Sequence, residues 1–272
     1  MTFEEFSRLV YIRDTDSYIW LHQEKMDVGG GKISREDIDR LREYDHTERV
    51  MISGLRQDTF EYFVNHYGRK INYIYFHKNK CIEDFSILSE LTEVKYIQLF
   101  HNQRASKLWD MSSNYKLEGL CISDFTRLHS LDGVQTAPNL KYLYLGDAVW
   151  STSTLTDLKP LINTNLTSFI FDGKAIEDKD ISVYSKMPFL KVLTTPTNLY
   201  TTEELAQIVA ACPHVSGRAL APYLPLDKMV NDKDVLICGK RKPFLNSKTD
   251  AAKIEAYVSK FNDLVERYKQ SI

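Results

Sequence analysis

Seven histidines, four cysteines and a few short charged runs are the side chains here that could do chemistry. His22, His46, His66, His77, His101, His129 and His214 fall at no spacing that builds a triad or a metal site. Cys81, Cys121, Cys212 and Cys238 stand far apart, with no C-x-x-C and no histidine at ligand spacing, which argues against zinc. They read as free thiols of a reducing cytoplasm. Gly29-Gly30-Gly31-Lys32 looks like a phosphate loop, but Ile33 stands where that loop needs Ser or Thr, and the glycine spacing is wrong. Glu177, Asp178 and Asp180 lack the glycine and distal glutamate of a calcium loop. Gly239-Lys240-Arg241-Lys242-Pro243 is a basic run that could grip a phosphate or an acidic surface, and otherwise reads as a solvated loop. No G-x-S-x-G elbow is present. The expectation is therefore a chain with no catalytic residue, cofactor or metal. An enzyme would need a site assembled by the chain ends, such as Cys238 beside a histidine.

The side chains left to do anything are aromatic. Tyr73, Tyr75, Tyr96, Phe100, Tyr142 and Tyr144 recur at related positions, and the elements that carry them recur too. The pattern apolar-x-x-apolar-x-apolar occurs at Ile71, Ile74, Phe76, then at Val94, Ile97, Leu99, then at Leu117, Leu120, Ile122. It continues at Leu140, Leu143, Leu145 and at Leu166, Phe169, Phe171, and wears out at Leu190, Leu193, Thr195. Successive first positions differ by 23, 23, 23, 26 and 24. Val50 and Ile52 fit a degenerate copy starting at Thr47.

A period of about 20 to 29 residues with this pattern is the leucine-rich-repeat signature. Each repeat offers one short strand whose inward side chains only a neighbouring repeat can bury. Apolar residues spaced by threes follow the strands, as in Ile82, Phe85, Leu88, Leu91 and in Leu155, Leu158, Leu161. That spacing suits a 3₁₀ turn or short helix on the convex side. Asn79 and Asn102 sit where a repeat asparagine bonds buried backbone, while Phe125, Ala148 and Lys174 break that ladder further along.

Residues 47–200 resemble bacterial leucine-rich repeats of the short internalin type. The resemblance implies an α/β solenoid with a curved parallel sheet, and a scaffold that hosts many partners rather than one activity. Caps are expected at 1–46 and 201–272, around about six to seven repeats. In the first, Phe3, Phe6, Leu9 and Val10 suit a short amphipathic helix, and Ser17 to His22 alternates toward a strand. Ser34 with Asp37 is close to a capping box, and Phe60, Phe63, Val64 and Tyr67 fit one helix face. In the second, Thr202 is expected to cap a helix that Pro213 stops, Pro222 and Pro225 to mark an irregular crossing, and Val235 to Ile237 to form an edge strand. Ile254, Tyr257, Val258, Phe261, Leu264, Val265 and Tyr268 predict a terminal helix packed on the solenoid.

Residues between the buried apolars must face away from the core. One such row reads Arg49, Tyr73, Tyr96, Gly119, Tyr142, Ser168, Val192. The next reads Met51, Tyr75, Gln98, Cys121, Tyr144, Ile170, Thr194, and a third Ser53, His77, Phe100, Ser123, Gly146, Asp172, Pro196. Tyr73, Tyr75, His77, Tyr96, Gln98, Phe100, Gly119, Cys121, Tyr142 and Tyr144 are the candidate partner-binding residues, because aromatic patches mark contact sites. Gly119 and Cys121 should floor a notch walled by Tyr96, Gln98, Tyr142 and Tyr144. The leading expectation is recognition of a protein or peptide on this concave face, in its sharper form by binding and blocking one partner. The alternative is a small molecule or glycan stacked in the notch. If the C-terminal segment folds back over this face, the tyrosines are core instead.

A net charge of −2 lacks the basic field that nucleic-acid binding needs. No run of about 18 apolar residues is present to span a membrane. The opening Met-Thr-Phe-Glu-Glu-Phe lacks the order of a secretion signal and, unlike surface internalins, the chain shows no export signal or wall anchor. A cytoplasmic location is expected, with no oligomeric state implied.

The register has a direct consequence. Leu143→Asp should put an unpaired charge into the stacked core, at a cost of several kcal/mol. Thermal melting should show a large fall, and a wild-type midpoint would mean the register is wrong.

Overall fold

The structure, a computed structural model, describes residues 2–7, 18–22, 32–44, 48–147 and 152–271. Helix α1 (Phe3–Ser7) comes first, then β1 (Ile19–Leu21), α2 (Arg35–Asp39), β2 (Arg49–Ser53) and α3 (Gln57–His66). Strands β3 (Tyr73–His77), β4 (Tyr96–Asn102), β5 (Gly119–Phe125) and β6 (Tyr142–Gly146) follow. Next come β7 (Thr154–Leu155), β8 (Ser168–Asp172), β9 (Ala175–Ile176), α4 (Ser182–Ser185) and β10 (Val192–Thr194). The chain ends with α5 (Thr202–Ala211), β11 (Tyr223–Val230), β12 (Lys233–Ile237), β13 (Phe244–Leu245) and α6 (Ala251–Lys269).

Among the described residues, eight strands form one sheet in the order β1, β2, β3, β4, β5, β6, β8, β10. Every pairing in it is parallel. Strands one repeat apart lie side by side because each repeat makes the same excursion behind the sheet. The excursions carry 3₁₀ turns at Ser86–Glu90, Val134–Thr136 and Lys159–Leu161, where the spacing by threes predicts them. The chain is thus a leucine-rich-repeat solenoid with helices toward both ends. Its inward row, Val50, Ile74, Ile97, Leu120, Leu143, Phe169 and Leu193, is fully buried against the turn residues Leu88, Leu131 and Leu161.

Strand exits use a repeated device. Lys78, His101 and Asp124 each take a left-handed backbone two residues past the last strand apolar, with φ of 54°, 61° and 57°. The next residue then points back under the sheet. Asn79 Nδ2 donates to the Ile52 carbonyl at 3.0 Å, and its Oδ1 accepts from Leu55 N at 2.8 Å. Asn102 Nδ2 donates to the carbonyls of Asn79 and Ile82 at 3.0 and 2.8 Å, and its Oδ1 accepts from Arg104 N and Ala105 N at 2.9 and 2.8 Å. Buried backbone needs such partners. At the equivalent positions Phe125 is buried, Lys174 is exposed, and Ala148 lies outside the described residues.

The ends depart from the sequence expectations in instructive ways. Ile19–Leu21 is the first strand of the sheet itself, paired in register with Val50, Met51 and Ile52. Ser34 and Asp37 form the full capping box of α2. Leu9, Val10 and the three glycines lie outside the described residues. The cap of α5 is Thr201, not Thr202, and Glu204 completes its box three residues on. Residues Tyr223 to Val230, with Pro225 among them, form an outer strand rather than an irregular crossing. There the missing N–H of proline is tolerated. Val235 to Ile237 is accordingly the middle strand of a three-stranded sheet, not an edge. Helix α6 packs on α5 through Phe261, Leu264 and Val265, and Tyr257 Oη bonds both the Thr202 hydroxyl and the Cys238 carbonyl.

Removing one rung of the amide ladder tests its weight. Asn102→Ala leaves buried backbone groups unpaired, worth about 1–3 kcal/mol. The urea midpoint should fall accordingly, whereas Lys174→Ala, at the exposed equivalent position, should leave it unchanged.

Candidate interaction face

The three outward rows fall in the register that the sequence pattern predicts. Tyr73 pairs with Tyr96, Tyr96 with Gly119, Gly119 with Tyr142, Tyr142 with Ser168 and Ser168 with Val192. Tyr75, Gln98, Cys121, Tyr144 and Ile170 align in the second row. Because parallel neighbours lie about 4.8 Å apart, the rings touch along the front (concave) face. Tyr73 and Tyr96 meet edge to face at 5.4 Å, and His77 stacks on Phe100 at 5.4 Å. Arg49 lies over the Tyr73 ring at 5.4 Å.

This face is not open throughout. Tyr75 is 1% exposed, Gln98 0% and Cys121 1%, and Tyr96 is buried as well. Tyr75, Tyr96 and Cys121 belong to a second apolar cluster, on the opposite side of the sheet from the main core, that Phe3 and Tyr18 complete. Phe3 comes from α1, whose short length is held by Thr2 and Glu5: Thr2 N donates to Glu5 Oε2 at 2.7 Å, and Glu5 N to Thr2 Oγ1 at 3.2 Å. The Phe3 ring stacks on Tyr142 at 5.2 Å and 11°, and meets Tyr96 edge-on at 5.6 Å. It lies directly over Gly119, where a Cβ would come within 2.3 Å of its Cδ2.

The expected notch therefore exists but is filled. Gly119 floors it, Tyr96 and Tyr142 wall it, and Phe3 occupies it. An open notch for a small molecule is corrected by this contact. The C-terminal segment does not provide the cover over these tyrosines; Phe3 and Tyr18 of the N-terminal segment do. What stays accessible is the far end, where Tyr142, Tyr144, Ile170 and Thr194 are half-buried and Val192 is exposed. Tyr73, His77 and Phe100 are half-buried near the covered end.

The electrostatics follow from burial. Burial, with a smaller push from Glu118, raises the Tyr96 hydroxyl to about 12. Burial raises the Cys121 thiol to about 12 and the Cys238 thiol to about 11. Both move away from the thiolate that a cysteine nucleophile needs. All four cysteines are unbridged, and only Cys81 is exposed. Among the described residues no group of three or more His, Cys, Asp or Glu could hold a metal, and no helix is long and apolar enough to cross a membrane. Of the basic run, Lys240 and Arg241 are exposed and Lys242 is half-buried. Sequence reasoning assigned Phe3 to a cap and missed its seat. The signal was present in Gly119, a gap one ring wide between two tyrosines.

No family model and no curated protein matches the chain. Among solved structures it is similar to the functional domain of InlJ from Listeria monocytogenes, which includes a cysteine ladder. That chain is 16% identical with a TM-score of 0.38, and the match covers 69% of this chain and 42% of that one. It is also similar to the internalin InlF of Listeria monocytogenes, at 15% identity and a TM-score of 0.34, covering 68% of this chain and 63% of that one. This chain thus spans less than two thirds of either. The fold assignment rests on the chain's own ladder and register.

The seat of Phe3 can be measured by a double-mutant cycle. Gly119→Ala should destabilise the protein by about 1–3 kcal/mol, the usual cost of overpacking. In a Phe3→Ala background most of that cost should vanish. Equal costs in both backgrounds would show that Phe3 does not occupy the slot.

Proposed function

We propose that this chain is a protein-interaction module with no chemistry of its own, which takes a protein or peptide on the front face of its sheet. The observation that carries the reading is the accessible end of the front face, where Tyr142, Tyr144 and Ile170 are half-buried and Val192 is exposed. Aromatic side chains of this kind dominate interface energetics. Phe3 already fills the slot at Gly119, between Tyr96 and Tyr142, so the partner engages this end. Ring faces held by a rigid sheet lose little freedom on binding, which favours recognition. Four unbridged cysteines support a cytoplasmic setting.

Affinity capture from native lysate tests the reading, with wild type and Tyr144→Ala as paired baits. A partner held by wild type should bind the folded variant at least about tenfold more weakly, or about 1.4 kcal/mol. Equal capture by both would move the interface off the front face. Capture by neither would count against a protein partner.

A further inference from the structure

A second feature of the front face lies beyond the aromatic rows and does not depend on them. After α5 the chain returns to the sheet edge. Ser216 bridges Val192 in parallel, and Leu193 N donates to the Ser216 carbonyl at 2.8 Å. Gly217 permits this approach, because a Cβ there would lie 1.7 Å from the Leu193 carbonyl oxygen. Beyond this bridge the chain turns into a 3₁₀ helix, Arg218–Leu220, and Arg218 lines one cavity with Thr194.

Between these last strands and β12 and β13 lies a cavity of about 380 Å³, within the range of about 300–1,000 Å³ of small-molecule sites. Its apolar wall includes Ile170, Leu236 and Phe244. Its polar wall carries Asp172, Arg218 and Lys242. Among the described residues, neither the Asp172 carboxylate nor the Arg218 guanidinium has an ion pair or a side-chain hydrogen bond. The contrast with Asp147 is sharp, since that carboxylate accepts from Thr152 N, Ser153 N and Ser153 Oγ at 2.6–2.7 Å. Asp172 and Arg218 still feel each other: burial and then the Asp147 carboxylate push the Asp172 carboxyl's affinity for protons up, and the guanidinium pulls it down by less. Lys242 is held in place by the Tyr257 ring, 5.0 Å from its Nζ.

Asp172 and Arg218 carry opposite charges on the walls of one cavity. A ligand with an ammonium and a carboxylate can make a charge-assisted contact of about 2.8 Å with each. A simple anion would meet the cations but would leave Asp172 repelling it. A simple cation would meet the reverse.

We propose that this cavity binds a small zwitterion, a free amino acid with an apolar side chain. Its ammonium sits on Asp172, its carboxylate on Arg218 and Lys242, and its side chain against Leu236 and Phe244.

Calorimetric titration of the full chain with L-leucine and L-phenylalanine tests this, beside N-acetyl-L-leucine, L-leucinamide and inorganic phosphate. A free amino acid should bind, and removal of either charge should weaken binding at least tenfold. Asp172→Asn should abolish the preference for L-leucine over its N-acetyl form while keeping the preference over the amide. Arg218→Gln should do the opposite. Melting curves of both variants should match wild type, since neither side chain holds the fold. Absence of heat with every amino acid at millimolar concentration would overturn the proposal. So would equal binding of L-leucine and N-acetyl-L-leucine, or phosphate competing as strongly as the amino acids, which would mark a plain anion site.

Discussion

Each strand of the main sheet leaves a row of apolar side chains that its own repeat cannot cover. Burial therefore comes only from neighbours, and this constraint sets nearly everything else. It fixes the register, because a slip of one residue would turn Leu143 and Phe169 out of the core. It fixes the excursions behind the sheet, which must return after a near-constant number of residues. It also leaves a problem at each end, where the last row has no further repeat. The chain answers differently at the two ends. At one, Ile19–Leu21 adds a strand backed by Ile33, Ile38 and Leu41. At the other, α5, α6 and a small antiparallel sheet close the core, locked together through Tyr257.

The same alternation that buries one row presents another, and here the front face divides at Cys121. On one side Met51, Tyr75 and Tyr96 are packed with Phe3 and Tyr18 as a second apolar layer. On the other, the surface grows more polar toward Thr194 and Arg218. Aromatic and charged side chains are thus separated along one sheet by a few strands, each with its own backing. The rigid spacing of parallel strands makes the separation a property of the backbone rather than of flexible side chains.

Much of this is legible in the residues. The inward rows, the outward rows and the buried roles of Asn79 and Asn102 follow from period and alternation alone. The cap of α5 was legible too, since Thr201 and Glu204 have the box spacing and Thr202 does not. Pro225 misleads because a proline says nothing about which side of a strand lies unpaired. The seat of Phe3 and the pairing of Ser216 with Val192 are contacts between distant segments. No local pattern specifies such contacts, although glycines at positions 119 and 217 mark where something must come close. Ser216 lies 24 residues, one repeat length, beyond its bridge partner Val192, so the period was still running after the apolar pattern had faded.

The position of Phe3 in the chain bears on how the protein is made. Synthesis runs from the N-terminus, so this ring emerges well before Gly119 and Tyr142 exist to receive it. The repeats need only near neighbours and can add to one another in the order of translation. The closure of the front face is a contact of high sequence separation, and it must wait. Until β6 is in place, Phe3 has no Tyr142 to stack on, and the Tyr96 ring of β4 lacks its finished cover. A nascent chain paused at that stage would display the bare aromatic surface that the finished protein covers.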